Sequence, residues 1–237
     1  MQVQSCIPQV PALLSAAMKR FDQYCPIAHA LSQVGERWSL LVIRELMHGP
    51  KRYTDLAHGL PGIGTNILAA RLRDLESCGV VQKRKLPPPT PVTVYELTEY
   101  GKGLNEALYA LARWGARTLG PPKDDDELYP EWGVNALPAM FNPAAARGLT
   151  ETYVLKIDDD AFTARIVDGA LDASVGAADD ADLVLETDME TFFPLGTGEL
   201  APREAVDTGR VRIEGDIQTL ERCFRVLSLA PRVSAAA

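Results

Sequence analysis

YTDLAHGLPGIGTNILAARLRDLESCGVVQKRKLPPPTPVTVYEL, residues 53–97, is the stretch on which the fold turns. A short helix is expected over Tyr53–His58, with Thr54 as its cap. The next six residues, Gly59-Leu60-Pro61-Gly62-Ile63-Gly64, form a turn rich in helix breakers. A second helix then runs from about Thr65 to Ser77, and Gly79 suits its C-terminal cap. Residues 80–85 and 93–97 read as two strands of a hairpin. In the longer helix Leu68, Leu72 and Leu75 recur at i, i+4 and i+7 and make one apolar stripe. A rotation of 100° per residue sets Asn66, Ala70, Arg73 and Ser77 opposite that stripe, with Ala69 and Arg71 on the flanks.

Upstream, Ile27, Ala30, Leu31 and Val34 follow helical spacing, and so do Leu40, Leu41, Ile43, Arg44 and Leu46 after a possible start at Ser39. His48-Gly49-Pro50 ends that segment. Downstream, Thr98 is expected to cap one long helix reaching about Leu119, roughly twenty residues or about 30 Å. Short helices, a tight turn, a further helix and a hairpin succeed one another as in a winged helix-turn-helix. That architecture needs a helix whose inner face packs while its outer face meets base edges. Small residues allow close approach, asparagine can pair with adenine and arginine with guanine. Backbone N–H groups in the helix's first turn, near Thr65, can take a phosphate. The same stripe also fits an ordinary amphipathic helix with a charged surface, and both readings stand on periodicity alone.

Charge favours the first reading. The whole chain of 237 residues has a net charge of −8. Residues 1–117 carry 14 Lys and Arg against 9 Asp and Glu, a net of +5, and residues 118–237 a net of −13. A basic module can hold phosphates, whereas an acidic one repels them. Lys83-Arg84-Lys85 lie on the ascending strand of the hairpin, suited to the DNA backbone. The hairpin tip, Pro87-Pro88-Pro89-Thr90-Pro91, has no basic residue. Phosphate contact is therefore expected from the strand, with no insertion of the tip into a minor groove. A solvated, aggregation-resistant edge strand is the alternative for residues 83–85.

Three ordered blocks resemble the HxlR-type bacterial transcriptional regulators. The first is Cys25-Pro26-Ile27 followed by GERWSLLVIREL (residues 35–46). The second combines Arg52-Tyr53-Thr54-Asp55-Leu56 with RLRDLESCGVV (residues 71–81), and the third is YELTEYG (residues 95–101). The resemblance covers residues 24–119. It implies a homodimer bound to double-stranded, two-fold operator DNA. Tyr53, Thr54, Thr65, Asn66, Ala69, Ala70, Arg71, Arg73, Lys83, Arg84 and Lys85 are the candidate DNA contacts. Leu104, Ala107, Leu108, Leu111 and Trp114, in phase on the last helix, would bury a face against the partner, or pack within their own chain. The resemblance also implies a possible redox role for Cys25, which takes the place of the sensing cysteine of several members. Such a role needs a partly exposed, activated thiol, to which Lys19 and Arg20 are close in sequence. Cys78 reads as a helix-end packing residue.

The remainder differs in kind. Pro121-Pro122 and the acidic run through Glu127 read as a solvated join. Adjacent carboxylates at Asp124 to Asp126 lack the spacing of a calcium loop. Strands are expected at residues 152–157, 162–167, 171–175, 183–186 and 211–213, with Asp158-Asp159-Asp160 and Asp168-Gly169 as hairpin turns. Asp188 and Asp216 cap helices bearing Met189, Phe192 and Phe193, and Ile217, Leu220, Phe224 and Leu227; residues 199–206 are a further candidate helix. The order resembles the sterol-carrier-protein-2-like (SCP2) fold over residues 150–229, most closely at ADLVLETD (181–188), GELAPREAV (198–206) and GRVRIEGD (209–216). It implies an apolar tunnel for a small lipid-like effector. The candidate lining is Phe192, Phe193, Leu195, Leu220, Phe224 and Leu227, with Trp132, Met140 and Phe141 covering it. A filled core would use the same residues.

The expected architecture is thus α+β. It has a winged helix-turn-helix domain at 20–119, a linker and connecting helical segment at 120–149, and an SCP2-like domain at 150–230. No enzyme, cofactor or metal site is expected. His29, His48 and His58 form no ligand or catalytic spacing, and the G-x-G-x-x-A match at residues 196–201 has no βαβ unit around it. The four cysteines are far apart, residues 1–10 lack a basic start, the Ala-rich end at 234–237 reads as frayed, and no apolar run approaches ~18 residues. A cytoplasmic protein without membrane contact is expected. Two other readings remain: a thiol-sensing regulator with an inert second domain, and an SCP2-type lipid-binding or enzymatic protein with an assembly module.

Overall fold

The computed structural model describes residues 21–87, 91–120, 126 and 129–229. The expectations attached to Cys6, Lys19, Arg20, residues 88–90, Asp124, Asp125 and residues 234–237 lie outside the described residues. The chain packs as two units that divide between Leu108 and Tyr109.

In the first unit α1 (Pro26–Val34), α2 (Ser39–Leu46), α3 (Tyr53–His58) and α4 (Thr65–Ser77) precede an antiparallel hairpin of β1 (Val81–Lys85) and β2 (Thr93–Leu97). Thr54 lies inside α3 and does not cap it. Instead the Arg52 backbone N–H donates to the Asp55 carboxylate at 2.9 Å, because an acid three residues into a helix can fold back on the first open donor. Leu68, Leu72 and Leu75 of α4 are buried together with Val42, Ile43, Leu46 and Leu56. Burying each such side chain contributes about 1.5–3 kcal/mol. The helix stops at Gly79, whose φ of 74° lets Val80 N–H reach the Leu75 carbonyl at 2.9 Å and Gly79 N–H reach that of Glu76 at 3.1 Å.

The long terminal helix is interrupted. Thr98 does cap, accepting from Gly101 N–H at 3.0 Å, but the helix it starts, α5, covers only Glu99–Lys102. A turn at Gly103 and Leu104 follows, and α6 occupies Asn105–Leu119. Gly101 lies buried against the Val80 carbonyl, where a Cβ would collide, so this turn is pinned to the root of β1. Leu104 and Leu108 pack on the first core, whereas Leu111, Trp114 and Leu119 are exposed, Trp114 by 70%.

The second unit carries α7 (Pro130–Met140), β3 (Glu151–Ile157), β4 (Asp160–Val167), β5 (Ala170–Val175), β6 (Leu183–Thr187), α8 (Met189–Thr197), α9 (Pro202–Asp207), β7 (Arg212–Glu214) and α10 (Ile217–Val226). Its sheet runs β5-β4-β3-β6-β7, with β3 and β6 parallel and the other pairs antiparallel. Asp168-Gly169, both at positive φ, close the β4–β5 hairpin. Alternate residues Tyr153, Leu155 and Ile157, Phe162, Ala164 and Ile166, and Leu183 and Leu185 face one core. Side chains of α7, α8, α9 and α10 cover the same face, so the fold is α+β with helices segregated to one side. Two boundaries differ from the pattern reading. The candidate helix at 199–206 begins at Pro202, which takes the first helical turn. The segment read as a connector is part of the second fold, because Val134, Leu137 and Met140 of α7 enter its core.

Candidate nucleic-acid interface

The first unit presents α4 beside the start of α3. Tyr53 is half-buried and its hydroxyl donates to the Thr65 carbonyl at 2.8 Å, which ties the two helix starts together. Thr54 is exposed next to it. At the head of α4 the Gly64 carbonyl accepts from Ile67 and Leu68 N–H, and no side chain caps the helix. Thr65, Asn66 and Arg73 are exposed on α4, with Ala69 and Ala70 half-buried between them. Arg73 forms no ion pair among the described residues, while its neighbours are committed. Arg71 is held by Glu36 at 3.4 Å and Asp74 at 3.2 Å with its side chain only 17% exposed, and its Nε and Nη1 are buried without a hydrogen-bond partner. It turns inwards and braces α4 against the α1–α2 turn.

The wing cations are mostly paired too. Lys83 meets Glu76 of α4 at 2.9 Å and lies 5.6 Å from the Tyr95 ring centroid; the Glu76 carboxylate holds its ammonium above the usual lysine range. Arg84 pairs across the hairpin with Glu96 at 2.9 Å, and Gln82 donates to the same carboxylate at 2.9 Å. Arg84 foremost, then Gln82, hold the Glu96 carboxyl below the usual range. Lys85 is exposed and forms no ion pair among the described residues. Sequence reading missed the partners because Glu76 and Glu96 come opposite the basic run only through packing and register.

It also missed Glu45. Its carboxylate is 2% exposed and meets Arg44 and Lys51 at 2.7 Å each. Lys51 in turn bridges to Tyr95 of β2 through both backbone hydrogen bonds, at 2.9 and 2.8 Å. One buried acid thus links α2 to the wing. A signal existed: Val42, Glu45 and Leu46 share one helical face.

Cys25 is half-buried at the N-cap of α1, and Cys78 and Cys223 are buried. Burial pushes the Cys78 thiol up, as befits a packing residue whose Sγ donates to the Leu75 carbonyl.

Family models match in two places. Residues 33–123 match the HxlR-like helix-turn-helix family and residues 135–228 the SCP-2 sterol transfer family. The HTH-type transcriptional regulator sll1512 of Synechocystis sp. is 37% identical over 95 residues, 40% of this chain and 70% of that protein. YodB of Bacillus subtilis, an HTH-type transcriptional regulator, is 35% identical over 98 residues, 41% of this chain and 88% of its own length. The chain belongs to the HxlR-like helix-turn-helix family. It is an HxlR-type, DNA-binding transcriptional regulator with a C-terminal SCP2-like domain. The solved structure of reduced YodB matches with 33% identity, 43% of this chain, all of that chain and a TM-score of 0.37.

In the SCP2-like unit, Met140, Phe192, Leu195, Leu220, Phe224 and Leu227 come together in one buried cluster. The Phe192 and Phe224 rings lie 6.1 Å apart. Phe141 packs at its edge and bridges to Leu227. Phe193 is half-buried, and Trp132 packs on Tyr129 with ring centroids 4.6 Å apart. A polar chain missed by sequence reading runs from Thr219 to Arg222, Glu151 and Tyr153: Arg222 donates to Thr219 at 2.7 Å and to Glu151 at 3.0 Å, and Tyr153 donates to Glu151 at 2.6 Å. Among the described residues no group of His, Cys, Asp and Glu suits a metal, and no helix is long and apolar enough to cross a membrane.

Proposed function

We propose that two copies of this regulator bind a two-fold operator, each laying α4 along a major groove. The observation that carries this reading is the exposed Arg73, which forms no ion pair among the described residues, beside Asn66 and the small Ala69 and Ala70. A guanidinium with no internal partner can dock bidentately on guanine. Thr54, Thr65 and the open first turn of α4 suit the adjacent phosphate, and Tyr53 acts by holding the two helix starts together. Lys85 meets the backbone directly. Lys83 and Arg84 reach it by exchanging their carboxylate partners Glu76 and Glu96 for phosphate. Arg71 is assigned a positioning role in place of base contact. The exposed Leu111, Trp114 and Leu119 of α6 suit burial against a second copy. Selecting bound genomic fragments from a pool tests the reading: a shared two-fold sequence supports it, and retention of no fragment at low ionic strength defeats it.

The SCP2-like unit is assigned the sensing role, through a small apolar effector held by the cluster around Phe192 and Phe224. Such an effector acts only by binding the DNA-competent and incompetent arrangements with different affinity. Native mass spectrometry of the purified chain is the test: a co-purified apolar molecule, lost on Phe224→Trp, supports it, and a bare chain that binds no sterol or fatty acid speaks against it.

A thiol reading is favoured by one observation, the half-buried Cys25 at a helix start where the other described cysteines are buried. On that reading Cys25→Ser abolishes release of DNA by oxidant; unchanged release removes it.

A further inference from the structure

A cleft of about 380 Å³ opens within the first unit, between the end of α2, the root of the wing and α5. Its size falls in the range of small-molecule sites. Leu46, Met47, Pro50 and Leu97 give it an apolar wall. Glu96, Glu99 and Lys102 give it a polar one with two carboxylates to one ammonium. Lys102 is already held by Glu99 Oε1 at 2.6 Å. The Glu96 side chain, 18% exposed, is the more sheltered of the two acids and is the anchor of Arg84 on the wing.

We propose that this cleft binds a small amphipathic organic cation, of the arylalkyl ammonium class, whose ammonium takes the place of Arg84 on Glu96. The apolar wall receives the aryl body, and because the partner that Glu96 exchanges is the Arg84 guanidinium, only a cation can take its place. A carboxylate ligand of the same shape would face Glu96 and Glu99 at close range. Occupation has a consequence for DNA. While Glu96 holds Arg84, that guanidinium is turned to its own hairpin; a cation on Glu96 releases it towards phosphate. The ligand favours the state with Arg84 displaced, and so does DNA, so each strengthens the other's binding equally. This second step rests on the wing reading above, whereas binding to the cleft does not.

The test uses the full-length protein without DNA, titrated calorimetrically with phenethylammonium and with 3-phenylpropionate. Saturable binding of the ammonium, at least about tenfold tighter than the carboxylate, is expected. Glu96→Gln and, independently, Met47→Trp, which fills the apolar wall, should each weaken it by about tenfold or more. If either variant fails to fold, the other carries the test. No saturable binding, equal binding of both probes, or indifference to the folded variants overturns the site. With a selected DNA fragment, the ammonium should tighten binding in the native chain and lose that effect in Arg84→Ala. Unchanged DNA affinity overturns the coupling. Retention of no fragment, with the ammonium still bound, leaves the cleft standing and defeats the operator reading instead.

Discussion

Replacing Arg73 with alanine, and in a second variant Arg71 with alanine, separates recognition from support on one helix. The two residues are two positions apart in sequence and differ in what holds them. Arg73 is exposed without an ion pair among the described residues; Arg71 is pinned by Glu36 and Asp74 with little of its side chain in water. A bidentate arginine–guanine contact discriminates by about 1–3 kcal/mol. Both half-sites lose it in Arg73→Ala, so a full operator loses about 2–6 kcal/mol, because well-separated contacts add. At 1.4 kcal/mol per tenfold, that weakens the complex by about thirtyfold at the low end. Thermal stability should stay within about 0.5 kcal/mol of the native chain, since an exposed side chain supports no packing. Arg71→Ala should do the reverse, costing about 1 kcal/mol of stability through its lost stem packing and brace, with base preference retained. Fluorescence anisotropy on a selected fragment and on its scrambled counterpart gives the preference, and thermal unfolding gives the stability. An unchanged ratio of the two affinities in Arg73→Ala refutes the reasoning. Loss of preference in Arg71→Ala at unchanged stability would do so as well.

Lys85→Ala should reduce the slope of log affinity against log salt by about one for each copy bound, as expected when one phosphate contact is lost; an unchanged slope removes the strand from the interface. Glu45→Ala should destabilise the first unit, by less than the ~3–5 kcal/mol typical of a fully buried pair, because Arg44 and Lys51 still reach solvent; chemical denaturation measures it, and an unaltered midpoint contradicts the buried node. Hydrogen bonds from the Thr219 backbone N–H and hydroxyl hold the Asp216 carboxyl below its usual value. A carboxyl depressed in the folded state adds stability that is complete above the unfolded pKa near 3.9 and is lost as pH falls through the lower folded value. Asp216→Asn should therefore flatten the acid limb of the second unit's stability below about pH 4, and an identical limb would refute the link.

Much of this was readable before any coordinates. The leucine stripe of α4 needed only periodicity, and its Gly79 stop only the preference of glycine for positive φ. The alternation of β3 and β4 and the aspartate caps of α8 and α10 were equally local. What escaped the sequence depends on approach between distant segments. The helix after Thr98 stops at Lys102 and a new one starts at Asn105; its first turn is pressed at Gly101 against the Val80 carbonyl, a neighbour that nothing near residue 101 announces. Rotation sets Arg73 opposite the leucine stripe and Arg71 on its flank, but only the positions of Glu36 and Asp74 show that Arg71 is held back from the surface. The basic run at 83–85 reads as free charge until the hairpin register sets Glu96 near Arg84. The cleft is assembled from three segments spread over some fifty residues, so no local pattern marks it.

The central claim is that α4 of two copies enters the major groove of one duplex. Dimethyl sulfate footprinting on a selected fragment tests it most directly, because guanine N7 is exposed only in that groove. The account predicts two protected clusters on one face of the duplex, separated by a whole number of helical turns and lost in Arg73→Ala. A fragment bound as tightly with every guanine N7 still reactive would contradict it.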